Sequence, residues 1–313
     1  MNISLILLIS ASLTWLSTKL LIKPFKRIIP DLPNERSCHI QIKPRGGGIS
    51  FILINFFLAI IFNQNNFVYL IPLSLIGLLD DFFNLSRLLR FIVQILTAFY
   101  LLFSSPYFES IISIDNFLMR FCILFLIVIG STAIINFCNF IDGIDGILTG
   151  SILITLISFS FLISGSLWPL IGSLFGFIIW NWQPSKIFMG DVGSNYLGGV
   201  LVWIILNTQS IQYSLGFLLI ASPILADPLT CLIRRLMYKQ NIFKAHSLHL
   251  YQRLNKGGLD HEQISIIYIL ASICISVSFI LGGLLYGIFT AIVIYLIGFW
   301  LDKKKAIPFF NKI

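Results

Sequence analysis

Long apolar runs separated by short polar segments set the pattern of this chain. A helix that crosses a bilayer takes about 20 mostly apolar residues. Apolar runs fall at roughly 3–22, 47–63, 67–80, 89–104, 118–138, 146–164, 166–181, 193–209, 212–232, 263–282 and 283–302. They predict about eleven transmembrane helices, or ten if the last two are one, since only Gly282, Gly283 and Gly287 mark a break there. The third, fourth, seventh and eighth runs are short, and their helices are expected to continue into the polar segments beside them. No internal repeat, low-complexity tract or appended soluble stretch interrupts the pattern. Residues 1–313 are therefore read as a single integral membrane domain, an all-α polytopic helical bundle.

Composition agrees. Hydrophobic residues make up 57 % and charged residues 11 %, against about 25 % charged in soluble domains. Mean hydropathy is +0.93. These values exclude a disordered chain, a fibrous chain and an ordinary soluble enzyme. The net charge of +8 would raise nucleic acid as a partner of a soluble protein. In a membrane chain it reflects topology, because Lys and Arg gather on the cytoplasmic side.

The first run is not a cleaved signal peptide, because Lys19, Lys23, Lys26 and Arg27 follow it rather than precede it. That order places the N-terminus outside. The cytoplasmic segments are then 23–46, 81–90, 136–147, 182–192, 233–262 and 303–313, and they hold 19 of the 21 Lys and Arg residues. Of the 13 acidic residues, only Glu109 and Asp115 fall in an outer loop. Acids do not set topology, and ionisable groups near membrane depth cost on the order of 2.5–3.5 kcal/mol each. Their collection at one face points to function. The cysteines (Cys38, Cys122, Cys138, Cys231 and Cys274) match no metal spacing and are assigned no chemistry.

Five polar segments share that face. The first runs Asp31-Leu32-Pro33-Asn34-Glu35-Arg36, then His39 and Pro44-Arg45-Gly46-Gly47-Gly48. A glycine triplet opening a helix is expected to leave N–H groups free for a phosphate, with Arg45 adding charge; the same loop would also suit anionic headgroups. The second is Asp80-Asp81, whose adjacent carboxylates need a proton or a cation between them, followed by Arg87 and Arg90. The third is Asn136 to Gly146, with Asn136, Asn139, Asp142 and Asp145 at spacing three, expected along one helical stripe. Oxygen ligands of that kind suit Mg²⁺; helix caps are the plainer alternative. The fourth is Trp180-Asn181 with Lys186 to Ser194, which adds Asp191 at the start of a helix. The fifth is the loop 233–262, with Arg234, Arg235, Phe243, Lys244, Ala245, His246, His249, Tyr251, Gln252 and Arg253. His246 and His249 can share a face. With two imidazoles in view and no cysteine close by, phosphate is favoured there over zinc. Together the segments predict metal-assisted phosphate chemistry beside a lipid.

These residues resemble the polyprenyl-phosphate N-acetylhexosamine-1-phosphate transferases, glycosyltransferase family 4. The family includes initiators of O-antigen and other envelope polysaccharides, and is related to the phospho-N-acetylmuramoyl-pentapeptide transferase. The resemblance runs from about Asp31 to Arg253, and the runs Asn136–Gly146 and Phe188–Ser194 carry most of it. It implies a Mg²⁺-dependent transfer of sugar-1-phosphate from a UDP-N-acetyl sugar to undecaprenyl phosphate, releasing UMP, with Mn²⁺ an admissible substitute. It also implies a cytoplasmic-face site in a bacterial inner membrane and allows a homodimer. By position, it assigns Asp80 and Asp81 as catalytic, and Asp191 and Asn139 as metal ligands. Arg45, Arg90, Asn136, Asp142, Asp145, Asn181, His246, His249 and Arg253 would bind substrate, Arg253 as an alternative diphosphate contact.

The chain departs from the family pattern in three places. Asn84 stands where relatives carry Asp or Lys, Ser247 where many carry a basic residue, and three adjacent histidines are absent. The last feature favours a polysaccharide initiator over the pentapeptide transferase. A secondary transporter is the rival from another class, but transporters place binding groups near the midplane. An intramembrane prenyltransferase would show two separated Asp-rich motifs.

Overall fold

The computed structural model describes residues 2–33, 38, 41–65, 67–163, 165–242, 244 and 246–309. Asn34, Glu35, Arg36 and His39 of the first polar segment, and Phe243 and Ala245 of the last, lie outside them. Helices dominate the described residues: α1 (Ile3–Ile28), α2 (Gly48–Ile61), α3 (Ile71–Phe83), α4 (Arg87–Phe103), α5 (Tyr107–Ile112), α6 (Phe117–Ile141), α7 (Ile147–Leu162), α8 (Trp168–Asn181), α9 (Gly190–Leu206), α10 (Ile211–Met237), α11 (Leu250–Lys256) and α12 (His261–Lys304). A minimal antiparallel pair, β1 (Pro30–Asp31) and β2 (Lys43–Pro44), closes the loop between α1 and α2.

Each apolar run carries a helix. By length and composition, α1, α6, α10 and α12 can each cross a membrane, and α2, α7, α8 and α9 are shorter apolar helices. The helices on the short runs continue into the polar segments as expected. Asp80 and Asp81 ride on α3, α4 starts at Arg87, α8 ends on Asn181, and α9 starts at Gly190. The last two runs are two helical stretches run together as α12 and broken at Gly283 (φ 73°, ψ −166°), a conformation open only to glycine. α5, α11 and the β pair fall in segments where no element is expected.

Local chemistry accounts for the ends. Asn2, Ser86 and Asn116 cap α1, α4 and α6 through side-chain oxygens. Asp260 and Gln263 form a reciprocal capping box on α12. Proline opens α3 and α8, where its missing N–H has no helical partner to lose.

α9 is the centre of the bundle. It is buried along most of its length and packs against α2, α3, α4, α6 and α10. Outer helices keep wide apolar faces; Phe117, Phe121 and Phe125 stack along exposed α6. Inter-helix contact relies on small residues, as in lipid, where apolar burial alone does not drive association. A Cβ at Gly176 would lie 2.2 Å from the Ala11 carbonyl, and one at Gly172 would lie 2.7 Å from Ser10. Trp180 Nε1 then donates to the Trp15 carbonyl at 3.0 Å.

Candidate active site

The site forms where the polar ends of α3, α4, α6 and α9 meet. Its anchor is the start of α9. Asp81 reaches across from α3 and accepts the Asp191 N–H at 3.1 Å and the Val192 N–H at 3.2 Å. A carboxylate on a helix N-terminus satisfies orphan donors and opposes the helix dipole. Asp81 is thereby a cap supplied from another helix. Gly190 precedes it at φ +74°, and a Cβ there would sit 2.5 Å from Asp81 Oδ2. Gly77 lets α3 lie against the Asp191 backbone, where a Cβ would come within 2.3 Å of the carbonyl.

The glycine triplet differs from expectation. Gly47 and Gly48 donate to the carbonyls of Phe188 and Met189 at 2.9 and 2.8 Å. Their N–H groups are therefore engaged with backbone and do not cradle a phosphate. Small size is what the triplet contributes: a Cβ on Gly48 would lie 2.4 Å from Gly193 Cα, so α2 and α9 nearly touch.

Asp80 does different work from Asp81. Its Oδ1 accepts the Leu85 N–H at 2.7 Å, and its Oδ2 pairs with Arg90 Nη1 at 2.6 Å. The same Arg90 nitrogen lies 3.0 Å from Asp191 Oδ2. One guanidinium thus bridges carboxylates from α3 and α9. Arg45 pairs with Asp31 at 2.5 Å and lies close enough to Asp81 and Asp191 to feel their charge. Asp142, the C-cap of α6, completes the group. Burial, then the neighbouring charges of Asp191 and Asp81, push its carboxyl well above the usual range. Acids outnumber arginines here, and the donors are hard oxygens. That donor set fits a Mg²⁺-type cation, with Asp191 and Asn139 able to hold it. Asn139 donates its amide nitrogen to Ser194 Oγ at 3.0 Å, which leaves its carbonyl oxygen as the donor atom for a cation.

The predicted stripe of Asn136, Asn139, Asp142 and Asp145 is broken. α6 ends at Ile141, and Gly146 starts α7 at φ +77°. The two aspartates leave the helix because Gly143 and Gly146 release the backbone. Asn136 stays on α6 and donates to Gln94 Oε1 at 2.7 Å; Gln94 in turn donates to Asn195 at 3.2 Å. Asp145 turns to a separate polar cluster. It accepts from Lys43 Nζ at 3.3 Å and from Ser185 N and Oγ at 3.0 and 2.9 Å. His261 Nδ1 stands 3.4 Å away, and His261 Nε2 lies 2.7 Å from the Cys38 carbonyl. Burial would raise the Asp145 carboxyl, but His261, the Ser185 N–H and Lys43 outweigh it and hold it at about 2. Asn181 is buried, with Thr149 and the Ile187 carbonyl as its partners, so its amide holds the backbone together.

Residues of the last polar loop gather against α10. Arg253 is buried and grips the Leu248 and Ile307 carbonyls and Asp302, which occupies its guanidinium with protein. It is a structural clamp, and not a free diphosphate contact. Burial, His249 and Arg235 hold His246 down to about 4, so its ring is neutral near pH 7. Against the expectation that no cysteine stands close to the two histidines, Cys231 Sγ of α10 lies within 4.8 Å of a ring nitrogen of His246 and of His249.

The sequence reading passed over Lys43, Ser185, His261 and Asp227. Asp227 accepts from the Leu250 and Tyr251 N–H groups at 2.7 and 3.0 Å and from Tyr268 at 2.7 Å. Its signal was present: an acid inside an apolar run beside Pro228.

The profile of glycosyl transferase family 4 matches residues 66–209. An undecaprenyl-phosphate alpha-N-acetylglucosaminyl 1-phosphate transferase of Thermotoga maritima is 34 % identical over 232 residues, covering 71 % of this chain and 72 % of that enzyme. The chain belongs to glycosyl transferase family 4. Another member, a probable undecaprenyl-phosphate N-acetylglucosaminyl 1-phosphate transferase of Bacillus subtilis, is 28 % identical over 305 residues (88 % and 84 % of the two chains). A phospho-N-acetylmuramoyl-pentapeptide-transferase of Staphylococcus carnosus is 28 % identical over 269 residues (74 % and 82 %). In this family 4 chain, the profile match takes in Asp80, Asp81, Arg90, Asn136, Asn139, Asp142, Asp145, Asn181 and Asp191. Arg45, His246, His249 and Arg253 fall outside it.

Proposed function

We propose that the chain is an integral membrane phosphosugar transferase. It moves the sugar 1-phosphate of a UDP-N-acetylhexosamine onto undecaprenyl phosphate and releases UMP, at the start of an envelope polysaccharide such as O-antigen. One observation carries the reading: Asp80, Arg90 and Asp191, from three helices, meet at one end of a bundle whose relatives act on undecaprenyl phosphate. The N-terminus lies outside, and the site faces the cytoplasm of the bacterial inner membrane.

Arg90 and Arg45 receive the phosphates, because guanidinium forks match phosphate oxygens. Asp80 takes or shares the proton of the lipid phosphate and positions it. A lipid phosphate oxygen attacks the β-phosphorus of the nucleotide sugar, and the bond to the bridging oxygen of UMP breaks. A monoester phosphate with second pKa about 6 is already largely ionised at pH 7, so positioning outweighs base strength. When bound at Asp191 and Asn139, Mg²⁺ neutralises charge that develops on the diphosphate.

Purified protein, undecaprenyl phosphate, Mg²⁺ and a panel of UDP-N-acetyl sugars test this, with Asp191→Ala alongside. UMP release that needs lipid and metal, and falls at least about 100-fold in the variant, is the expected result. Release only with UDP-N-acetylmuramoyl-pentapeptide would assign the chain to the reaction named for its Staphylococcus carnosus relative. Release with no sugar, from folded protein, would overturn the reading.

A further inference from the structure

One face of α10 carries three buried residues a helical turn apart: Asp227, Cys231 and Arg235. Residues at i, i+4 and i+8 stack along a helix. The outer two are clamps. Asp227 holds the N–H groups of Leu250 and Tyr251, just after His249. Arg235 grips the carbonyls of Asn241, Ile242 and Lys244, just before His246. The loop is thus fastened to the helix on both sides of its histidines, and the middle residue, Cys231, is left facing them. The three side chains bring one sulfur and two imidazole nitrogens within 4.8 Å of one another. His249 is buried, and its Nδ1 finds no hydrogen-bond partner among the described residues. Asp227 Oδ1 stands 3.7 Å from that atom, beyond a hydrogen bond.

We propose that Cys231, His246 and His249 form a site for a soft divalent transition metal of the zinc class, separate from the oxygen-lined site at Asp191. One thiolate and two imidazoles with an open fourth position are a ligand set that zinc accepts and Mg²⁺ does not. With bonds of 2.0–2.3 Å, the edges of such a tetrahedron are about 3.3–3.8 Å. The widest of the three separations therefore closes by at most about 1.5 Å on binding. His246 gives up the Leu248 N–H that its Nδ1 now accepts at 3.2 Å. His249 gains: with one ring nitrogen on the metal, the other can donate to Asp227, the carboxylate–histidine pairing that orients metal-bound imidazoles. The Cys231 thiol loses its proton to solvent as the metal binds.

The site is tested with cobalt(II) added to metal-stripped, full-length protein in detergent, with Mg²⁺ in excess. One equivalent is expected to give a thiolate-to-cobalt charge-transfer band that zinc abolishes. Cys231→Ser should remove the band, and His246→Ala should weaken cobalt binding by roughly tenfold or more. His246 is on a loop, so that variant keeps the test open if Cys231→Ser fails to fold. No band in the wild-type protein, or a band unchanged in a folded variant, would overturn the proposal. On the transferase reading, zinc would also withdraw both imidazoles and inhibit UMP release, and Cys231→Ser would blunt that inhibition. The cobalt spectrum does not depend on that reading, so the two can fail separately.

Discussion

Asp80 and Asp81 are neighbours in sequence with different duties. Asp81 caps α9, while Asp80 shares Arg90 with Asp191. Asp81→Asn would turn an amide N–H toward a backbone N–H and is expected to cost about 1–2 kcal/mol of stability. Asp80→Asn turns its amide toward Arg90, which Asp191 still pairs, so it should cost less stability than Asp81→Asn and lower UMP release more. Thermal unfolding in detergent beside the transferase assay separates the two. Gly190→Ala should be worse than either, because it adds a left-handed penalty of about 1–2 kcal/mol to a collision with Asp81. The departure at Asn84 also has a residue-scale cause. Asn84 ends α3 at φ 48°, ψ 67°, a left-handed position that Asn tolerates better than most residues. Sequence could reveal that the carboxylates mattered. It could not divide them, because capping across helices depends on a partner 110 residues away.

Among the elements, the junction between α6 and α7 shows where spacing misleads. A period of three reads as one stripe only while the helix lasts, and Gly143 and Gly146 end it. Asp145 therefore fastens the loop before α2, the loop after α8 and the start of α12 through Lys43, Ser185 and His261. Its carboxyl is held at about 2, against 3.8 for a free group. A depressed carboxylate stabilises the fold above its unfolded pKa and loses that contribution as pH falls through the folded value. Stability on the order of 2 kcal/mol should fade between about pH 4 and pH 2. Asp145→Asn should flatten that slope in melting curves across the range. The helices themselves were legible from apolar run length, whereas the β pair and α11 were not, since they rest on tertiary hydrogen bonds rather than hydropathy.

For the whole molecule, charge order gave a directional expectation that can be checked in cells. In a background without the five native cysteines, Glu109→Cys should react with an impermeant thiol reagent from outside. Lys239→Cys, in the last polar loop, should react only after permeabilisation. The reverse pattern would invert the bundle. The all-helical bundle was readable from the apolar runs, but the convergence of α3 and α9 was not. That convergence bears on how the protein is made. α3 leaves the ribosome long before α9, and until then Asp81 has no helix end to cap. α9 is short, glycine-rich and buried on most sides, so lipid alone is a poor host for it. The nascent chain must keep the end of α3 wet at the membrane surface until α9 arrives and docks against it. A ribosome-stalled chain ending before Gly190 should remain sensitive to membrane quality-control proteases, and one that extends past Leu206 should begin to resist them.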